Sequence, residues 1–376
     1  MNVFLLVAAA AVELVSPRCG ETVALLPSEQ KEIMALPTYA ERLKLLQADR
    51  DGEKRLAKST RWKKSVPVEF RWRPNEESKG PWELRVGRDR ALAHPDYVEY
   101  VGAKHPRDGD GNVRWVAFPR FNPMIATTYY WQVDGSEIRS FTTEDLAPRW
   151  IMLEGRTANV RDLGGRRTAD GRRVRQGLIY RGQGLNDNSV SGKRRGYYRL
   201  TAEDTYYMVE TLGIRTDLDL RGDKEIADMT GSPLGPKVRF VHHSSVCYKS
   251  IFTPSGRKNM AENFRLFCDR ANYPVYFHCI GGFDRTGSLA YMLNGVLGVA
   301  RHELETDWEE TAYPQLPEME KDYSGEKYWR REQHFDEGIA RYGTDADTWQ
   351  RRIELYLLDC GITKEEIDAF RAIMVE

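Results

Sequence analysis

The chain has 376 residues, with 56 basic and 56 acidic side chains, so its formal net charge is zero. That balance argues against the basic surface of a nucleic-acid binder, and the length suggests two or three domains rather than one. Apolar residues make up 41% of the chain, enough for packed cores, while Cys19, Cys247, Cys268, Cys279 and Cys360 are too scattered for a zinc pattern or a dense disulfide framework.

Residues 2–12 are almost wholly apolar, which fits the core of a signal peptide and is too short to span a membrane. The expectation is a leader over residues 1–20, hence an exported, periplasmic or secreted protein with no stable membrane span; a cytoplasmic protein with an apolar N-terminus is the alternative. No Lys or Arg precedes the run, and Glu13 follows it closely. Cys19 invites a lipoprotein reading, but Ser16-Pro17-Arg18 lacks the small residues expected before a lipidated cysteine. Residues 21–60 read as a helical segment. Ser28 is placed to cap one helix and Thr38 another carrying Leu43, Leu45 and Leu46.

From residue 61 to 147 the pattern changes to short aromatic and β-branched runs between turn signals. The runs are Val68–Trp72, Trp82–Val86, Val113–Phe118, Thr127–Val133 and Ile138–Thr143. Asp108-Gly109-Asp110-Gly111 and Asp134-Gly135 mark turns. Alternation puts Tyr129, Trp131 and Val133 on one face, more suited to a core than to a binding platform. The expectation is an all-β sandwich, similar in pattern to fibronectin type III or immunoglobulin-like modules.

Strands then alternate with helices from 148 to 376, the pattern of an α/β domain whose site lies at the C-terminal ends of its strands. Thr201 caps a helix through Val209 and Leu212 that Gly213 stops. Ile214–Arg221 reads as a strand, with Glu225 just beyond. Near the end, Thr363 and Glu366 form a capping-box pattern, and Ile367, Phe370 and Ile373 share one face of a last helix. Residues 317–343, with Tyr323, Tyr328, Trp329, Arg330, Arg331 and His334, read equally as a lid or as a solvated insertion.

The chemistry concentrates at Val275–Gly287. Val275-Tyr276-Phe277 reads as a buried strand, and Ser288 onward as a helix. Between them lie His278, Cys279, Ile280, Gly281, Gly282, Phe283, Asp284, Arg285 and Thr286. A tight loop before a helix N-terminus points several backbone N–H groups at one spot, and the helix dipole adds positive potential there. Gly281 and Gly282 keep side chains out of that turn. Arg285 is suited to bind two phosphate oxygens with its planar guanidinium. Cys279 in such surroundings has its thiol pKa drawn down from about 8.5 towards about 3.5–7.5. Thr286 is placed to help the sulfur leave, and His278 to orient the loop from behind.

His-Cys-x-x-Gly-x-Asp-Arg-Thr-Gly resembles the signature loop of the protein tyrosine phosphatase superfamily. Asn159-Val160-Arg161-Asp162-Leu163-Gly164-Gly165, Gly177–Arg181, Asp219-Leu220-Arg221 and the C-terminal helix resemble further landmarks of a bacterial branch of it, in the expected order. The resemblance implies a phosphatase-like domain over 148–376 that works through a cysteinyl-phosphate, with no metal and no cofactor. Cys279 and Arg285 are then the central catalytic pair, and the backbone from Ile280 to Arg285 the phosphate cradle. No Trp-Pro-Asp tripeptide is present to supply a general acid. Asp284 takes that role first, with Asp219 the runner-up. Arg161, Asp162, Arg181 and Arg221 are candidates for the pocket rim.

The expected partner is a phosphorylated protein or a small phosphomonoester. Phosphotyrosine, with a dual-specificity range, is the first reading. Members that cleave phosphoinositides tend to carry a basic residue where this chain has Phe283, which argues against a polyanionic substrate and offers a surface for a flat ring. An inositol-phosphate phosphatase is the alternative, and the arginine-rich stretch 161–181 is its support. A phospho-ligand binding protein without turnover is a third reading, and intact Cys279 and Arg285 argue against it. The sequence leaves the oligomeric state open.

Overall fold

The structure is a computed structural model, and it describes residues 12–42, 44–45, 65–155, 157–186, 200–227, 229–312 and 333–376. The chain forms two compact units. The first takes the described residues up to Leu25 together with Val66–Asp145; the second takes those from Leu26 to Ser65 and from Leu146 to Glu376. This partition differs from a linear order of helical segment, β domain and catalytic domain. The chain enters the first unit, leaves it for a helical segment of the second, and returns.

In the first unit, β1 (Val12–Ser16), β3 (Glu69–Pro74) and β6 (Val113–Val116) form one sheet in the order β1-β3-β6. A second sheet has the order β2-β8-β7-β4-β5, from β2 (Glu21–Val23), β4 (Trp82–Gly87), β5 (Tyr97–Val101), β7 (Thr128–Val133) and β8 (Arg139–Thr143). The period-2 pattern explains the burial: Tyr129, Trp131 and Val133 all point inward. Phe70 on β3 meets Trp131 on β7 at 5.2 Å between ring centroids, and Trp72 meets Trp82 at 6.1 Å, so the sheets share an aromatic core. Asp134 and Gly135 have φ of 47° and 68°, the left-handed pair of a tight hairpin turn between β7 and β8.

β1 lies inside the span read as a leader. Leu14 sits opposite Trp72, and both Val12 and Leu14 are buried. The remainder of that apolar run, residues 2–11, lies outside the described residues, as do residues 46–64 of the charged helical stretch and 313–332 of the 317–343 insertion. The part of the insertion that is described forms a helix, Gln333–Ile339. Among the described residues no helix is long and apolar enough to cross a membrane.

In the second unit, α1 (Ser28–Ala35) has Pro27 as its N-cap, and Ser28 is its first residue rather than its cap. Thr38 and Glu41 exchange capping bonds at the next helical turn. Leu26, Ile33 and Trp150 bury together and fasten this segment to the start of the α/β domain. The central sheet has the order β12-β11-β13-β10-β9, from β9 (Arg161–Asp162), β10 (Ile179–Gly182), β11 (Thr216–Asp219), β12 (Arg239–His242) and β13 (Val275–His278). All its pairs are parallel except β9 with β10. Thr201 caps α2 (Ala202–Tyr206), which runs on into a wider turn over Tyr207–Thr211 and stops before Gly213, whose φ is 70°. Helices α3 (Pro254–Leu266), α4 (Asp284–Val296), α5 (Arg301–Glu309), α6 (Gln333–Ile339), α7 (Trp349–Asp359) and α8 (Lys364–Met374) complete the unit. The box of Thr363 and Glu366 opens α8, whose Ile367, Phe370 and Ile373 are buried. β13 is flanked by β11 and β10 and is buried at every residue. Its C-terminal end therefore emerges between two parallel neighbours, and the loop that carries Cys279 begins there.

Candidate active site

The loop between β13 and α4 is short because α4 begins at Asp284, earlier than the run of helix formers suggests. Asp284 and Arg285 therefore lie in the first turn of the helix, whose N–H groups have no acceptor within the helix itself and add to those of the loop. Gly282 has φ of 68°, and a Cβ there would fall 2.3 Å from the carbonyl carbon and oxygen of Gly182. Only glycine fits both the dihedral and the approach. Gly287 is needed for a different reason: a Cβ would lie 2.2 Å from the Trp308 ring that packs across the start of α4.

Cys279 is buried, 2% exposed, at the mouth of β13. Burial by itself would push its thiol pKa up. The Arg285 charge, the Thr286 hydroxyl and the backbone N–H groups of Thr286 and Phe283 outweigh that burial and hold the thiol below its ordinary value. The guanidinium of Arg285 is fixed by Glu225, with Nη1 donating to Oε2 at 2.6 Å and Nη2 to Oε1 at 3.1 Å. Glu225 is itself fixed by the Gly222 N–H at 2.6 Å. End-on pairing of this kind uses one hydrogen from each Nη. It leaves Nε–H and the outer N–H groups as a second bidentate edge for two phosphoryl oxygens.

His278 is fully buried behind the loop, its Nε2 3.0 Å from Asp217 Oδ1 and its Nδ1 3.0 Å from the Cys279 carbonyl. Burial opposes its charged form, but Asp219 and Asp217 prevail and raise its pKa. Asp219 is buried and bound by Arg221 through its backbone N–H, Nε and Nη2. Despite burial, His278 and Arg221 lower its pKa. A carboxylate so held is a poor proton donor, which counts against Asp219 as the acid. Asp284 is half-buried in the first turn of α4.

The four rim candidates are not at a rim. Arg161, Asp162, Arg181 and Arg221 are all buried, none more than 3% exposed. Asp162 accepts from the N–H groups of Gly164 and Gly177, at 2.9 and 2.7 Å, and from Arg149. It organises the Gly164-Gly165 turn. Arg161 and Arg181 are ion-paired with Asp307 of α5. The arginine-rich stretch is divided: Arg161, Arg166 and Arg181 are buried, while Arg167 and Arg172 are exposed. Arg166 is buried against Asp307 and Glu310, Arg172 pairs with Asp170, and Arg173 and Arg175 donate to backbone carbonyls. Phe283 also differs from expectation: it is buried, with its ring 5.4 Å from Trp308, and offers no face to a substrate.

Asp307 carries no local sign of its role, and Glu225 only its place shortly after a strand. Each reaches its partner across a long stretch of chain, Glu225 to Arg285 and Asp307 to Arg161 and Arg181.

The family model described as "Tyrosine phosphatase family" matches residues 152–376. The chain belongs to that family and is a cysteine-based phosphatase. A search of curated proteins found no match. Among solved structures, the core catalytic domain of the PP-IP phosphatase SIW14 from S. cerevisiae, in complex with citrate, is similar at 14% identity. That match covers 43% of this chain and 92% of the other, with a TM-score of 0.25.

Proposed function

We propose that the protein hydrolyses phosphotyrosine, with a dual-specificity range, through a cysteinyl-phosphate on Cys279. The observation that carries this reading is the buried, acidified thiol of Cys279 beside an Arg285 whose orientation Glu225 fixes. The Cys279 thiolate attacks phosphorus in line and the bond from phosphorus to the ester oxygen breaks. The electron pair goes to that oxygen, which takes the proton of Asp284. Loop N–H groups and the free edge of Arg285 stabilise the equatorial oxygens. Water then attacks phosphorus, Asp284 takes its proton, and the sulfur leaves as thiolate with inorganic phosphate released. Thr286 and the loop amides that lower the thiol pKa make that sulfur a good leaving group.

Substrates with one phosphate follow from the loop itself: Ile280, Gly281, Gly282 and Phe283 add no positive charge. The order and spacing of the motifs support the bacterial branch. The first unit is read as a fibronectin type III or immunoglobulin-like sandwich, supported by the aromatic core between its sheets. The reading of an exported protein with a leader over residues 1–20 is kept as a proposal, and N-terminal sequencing of the mature protein tests it: a chain that retains Val12–Ser16, which pair with β3, would overturn that leader.

The test of function is Cys279→Ser in the full chain, assayed beside wild type on para-nitrophenyl phosphate, phosphotyrosine and phosphoserine peptides and inositol polyphosphates. Wild type should prefer the phosphotyrosine peptide, and the serine variant should lose turnover while still binding phosphate. A preference for inositol polyphosphates would overturn the substrate class, and substantial activity in Cys279→Ser the mechanism.

A further inference from the structure

Two carbonyls of the catalytic loop are tied back from behind. Asn159 Nδ2 donates to Gly282 O at 2.9 Å and to Gly281 O at 3.3 Å. Arg181 Nη2 donates to the same Gly282 O at 2.9 Å. In a trans peptide the C=O and N–H point in opposite directions. Pulling the Gly282 carbonyl outward therefore turns the Phe283 N–H inward, where it is one of the donors acting on the Cys279 sulfur.

Both supports lead to Asp307 on α5. Its Oδ2 accepts from Arg181 Nη1 at 2.6 Å, its Oδ1 from Arg161 Nε at 2.9 Å, and its carbonyl from Arg161 Nη2 at 2.7 Å. Arg161 Nη1 in turn donates to Asn159 Oδ1 at 2.5 Å. That bond sets the Asn159 amide with its oxygen toward Arg161 and its Nδ2 toward the loop. Asn159 has φ of 60°, a conformation asparagine tolerates better than most residues. Arg161, Arg181, Asn159 and Asp307 are all buried.

We infer that Asp307 is the positioning residue of the catalytic loop, aiming its amides through Arg181 and through the Arg161–Asn159 pair. Asp307 touches no reacting atom. Packed apolar side chains often stabilise a core as well as a buried ion cluster does. Here the cluster's donors end on the carbonyls of the loop that carries the nucleophile, a placement stability alone does not require. The inference rests on the reading of Cys279 as nucleophile.

The test uses Asn159→Gly in the full chain. Glycine accepts the positive φ and removes both donated bonds while leaving the ion pairs to Asp307 in place. Asp307→Asn, which keeps the shape and removes the charge, is the second variant. The readouts are the pH midpoint of Cys279 alkylation by iodoacetamide, kcat and KM on para-nitrophenyl phosphate, and the melting temperature. The expected result for Asn159→Gly is a folded protein whose melting temperature falls by several degrees, because buried partners are left unpaired, a thiol midpoint raised by about half a unit or more, and the fall given next. That fall is at least about tenfold in kcat with a smaller change in KM, and below the ~100- to 1000-fold of losing one such donor outright. Asp307→Asn should move the thiol midpoint and kcat in the same direction and further. A folded Asn159→Gly with unchanged thiol midpoint and kcat overturns the inference. So does loss of the folded state in both variants, which would make the cluster a stability element alone. Alkylation needs no turnover, so these outcomes are separable from a failure of the nucleophile assignment in Cys279→Ser.

Discussion

Glu225→Gln probes how Arg285 is aimed. The substitution keeps the side chain's shape and one acceptor oxygen, but it removes the charge and sets an amide NH₂ against a guanidinium. A hydrogen bond to a charged partner is worth about 1.5–3 kcal/mol. The two side chains are 19% and 32% exposed, so solvent screening favours the lower end of that range. A loss of about 1.4 kcal/mol in holding the guanidinium is a factor of about ten in any step that needs its orientation. We expect kcat/KM on para-nitrophenyl phosphate to fall about tenfold and the inhibition constant of inorganic phosphate to rise by a similar factor. Both follow because the same guanidinium edge meets the ground-state and transition-state oxygens. There is also a pH signature. Burial would raise the Glu225 pKa, but Arg285 and the Gly222 N–H lower it. Its contribution is therefore present above the ordinary carboxylate value of about 4.3 and is lost as pH falls through the lowered folded value. The Gln variant should lack that acid-side loss. Steady-state kinetics with phosphate inhibition, on protein checked for melting temperature, measures all of this. Unchanged kcat/KM and unchanged phosphate inhibition in folded Glu225→Gln would refute the idea that this pair orients Arg285.

Three further outcomes follow. Alkylation of Cys279 by iodoacetamide should rise with pH around a midpoint below the ordinary thiol value, and Arg285→Ala should move that midpoint up, since Arg285 is the leading group that lowers it; an unmoved midpoint would sink this account. Asp284→Asn should slow phenyl phosphate far more than para-nitrophenyl phosphate, because a good leaving group needs little protonation; equal slowing of both substrates would leave Asp284 with a role in loop shape alone. Arg42 Nε lies 2.5 Å from Glu309 Oε2, with side chains 0% and 1% exposed. Arg42→Met should therefore destabilise the second unit by about 3 kcal/mol, as breaking a buried pair does. Calorimetry should show that loss, and Arg42→Met with Glu309→Leu should recover much of it. A melting temperature within about 1 °C of wild type in the single variant would refute the pair's importance, at roughly 2–4 °C expected per kcal/mol. A fragment beginning at Pro148 lacks Arg42 and should show the same weakness.

What the sequence settled by itself is local. The strand, the glycines, the cysteine, the arginine and the helix of Val275–Gly287 are contiguous, and the physics that makes them a phosphate site acts over a few bonds: glycine dihedrals, helix-end N–H groups and a guanidinium one turn away. The same holds for the Thr201 and Thr363 caps and for the alternation of Tyr129, Trp131 and Val133, all found as the pattern implies. Tertiary structure decided which distant groups complete these parts. Val12–Ser16 became a strand because β3 offered an edge to pair with, and a run of apolar residues does not name its partner. Phe283 became core because Trp308 stands over the first turn of α4. Glu225 and Asp307 took up Arg285, Arg161 and Arg181 because the order β12-β11-β13-β10-β9 brings their loops and α5 around the end of β13. An ion pair is fixed by distance in space, and distance in space follows from strand order, which no single segment of the chain encodes.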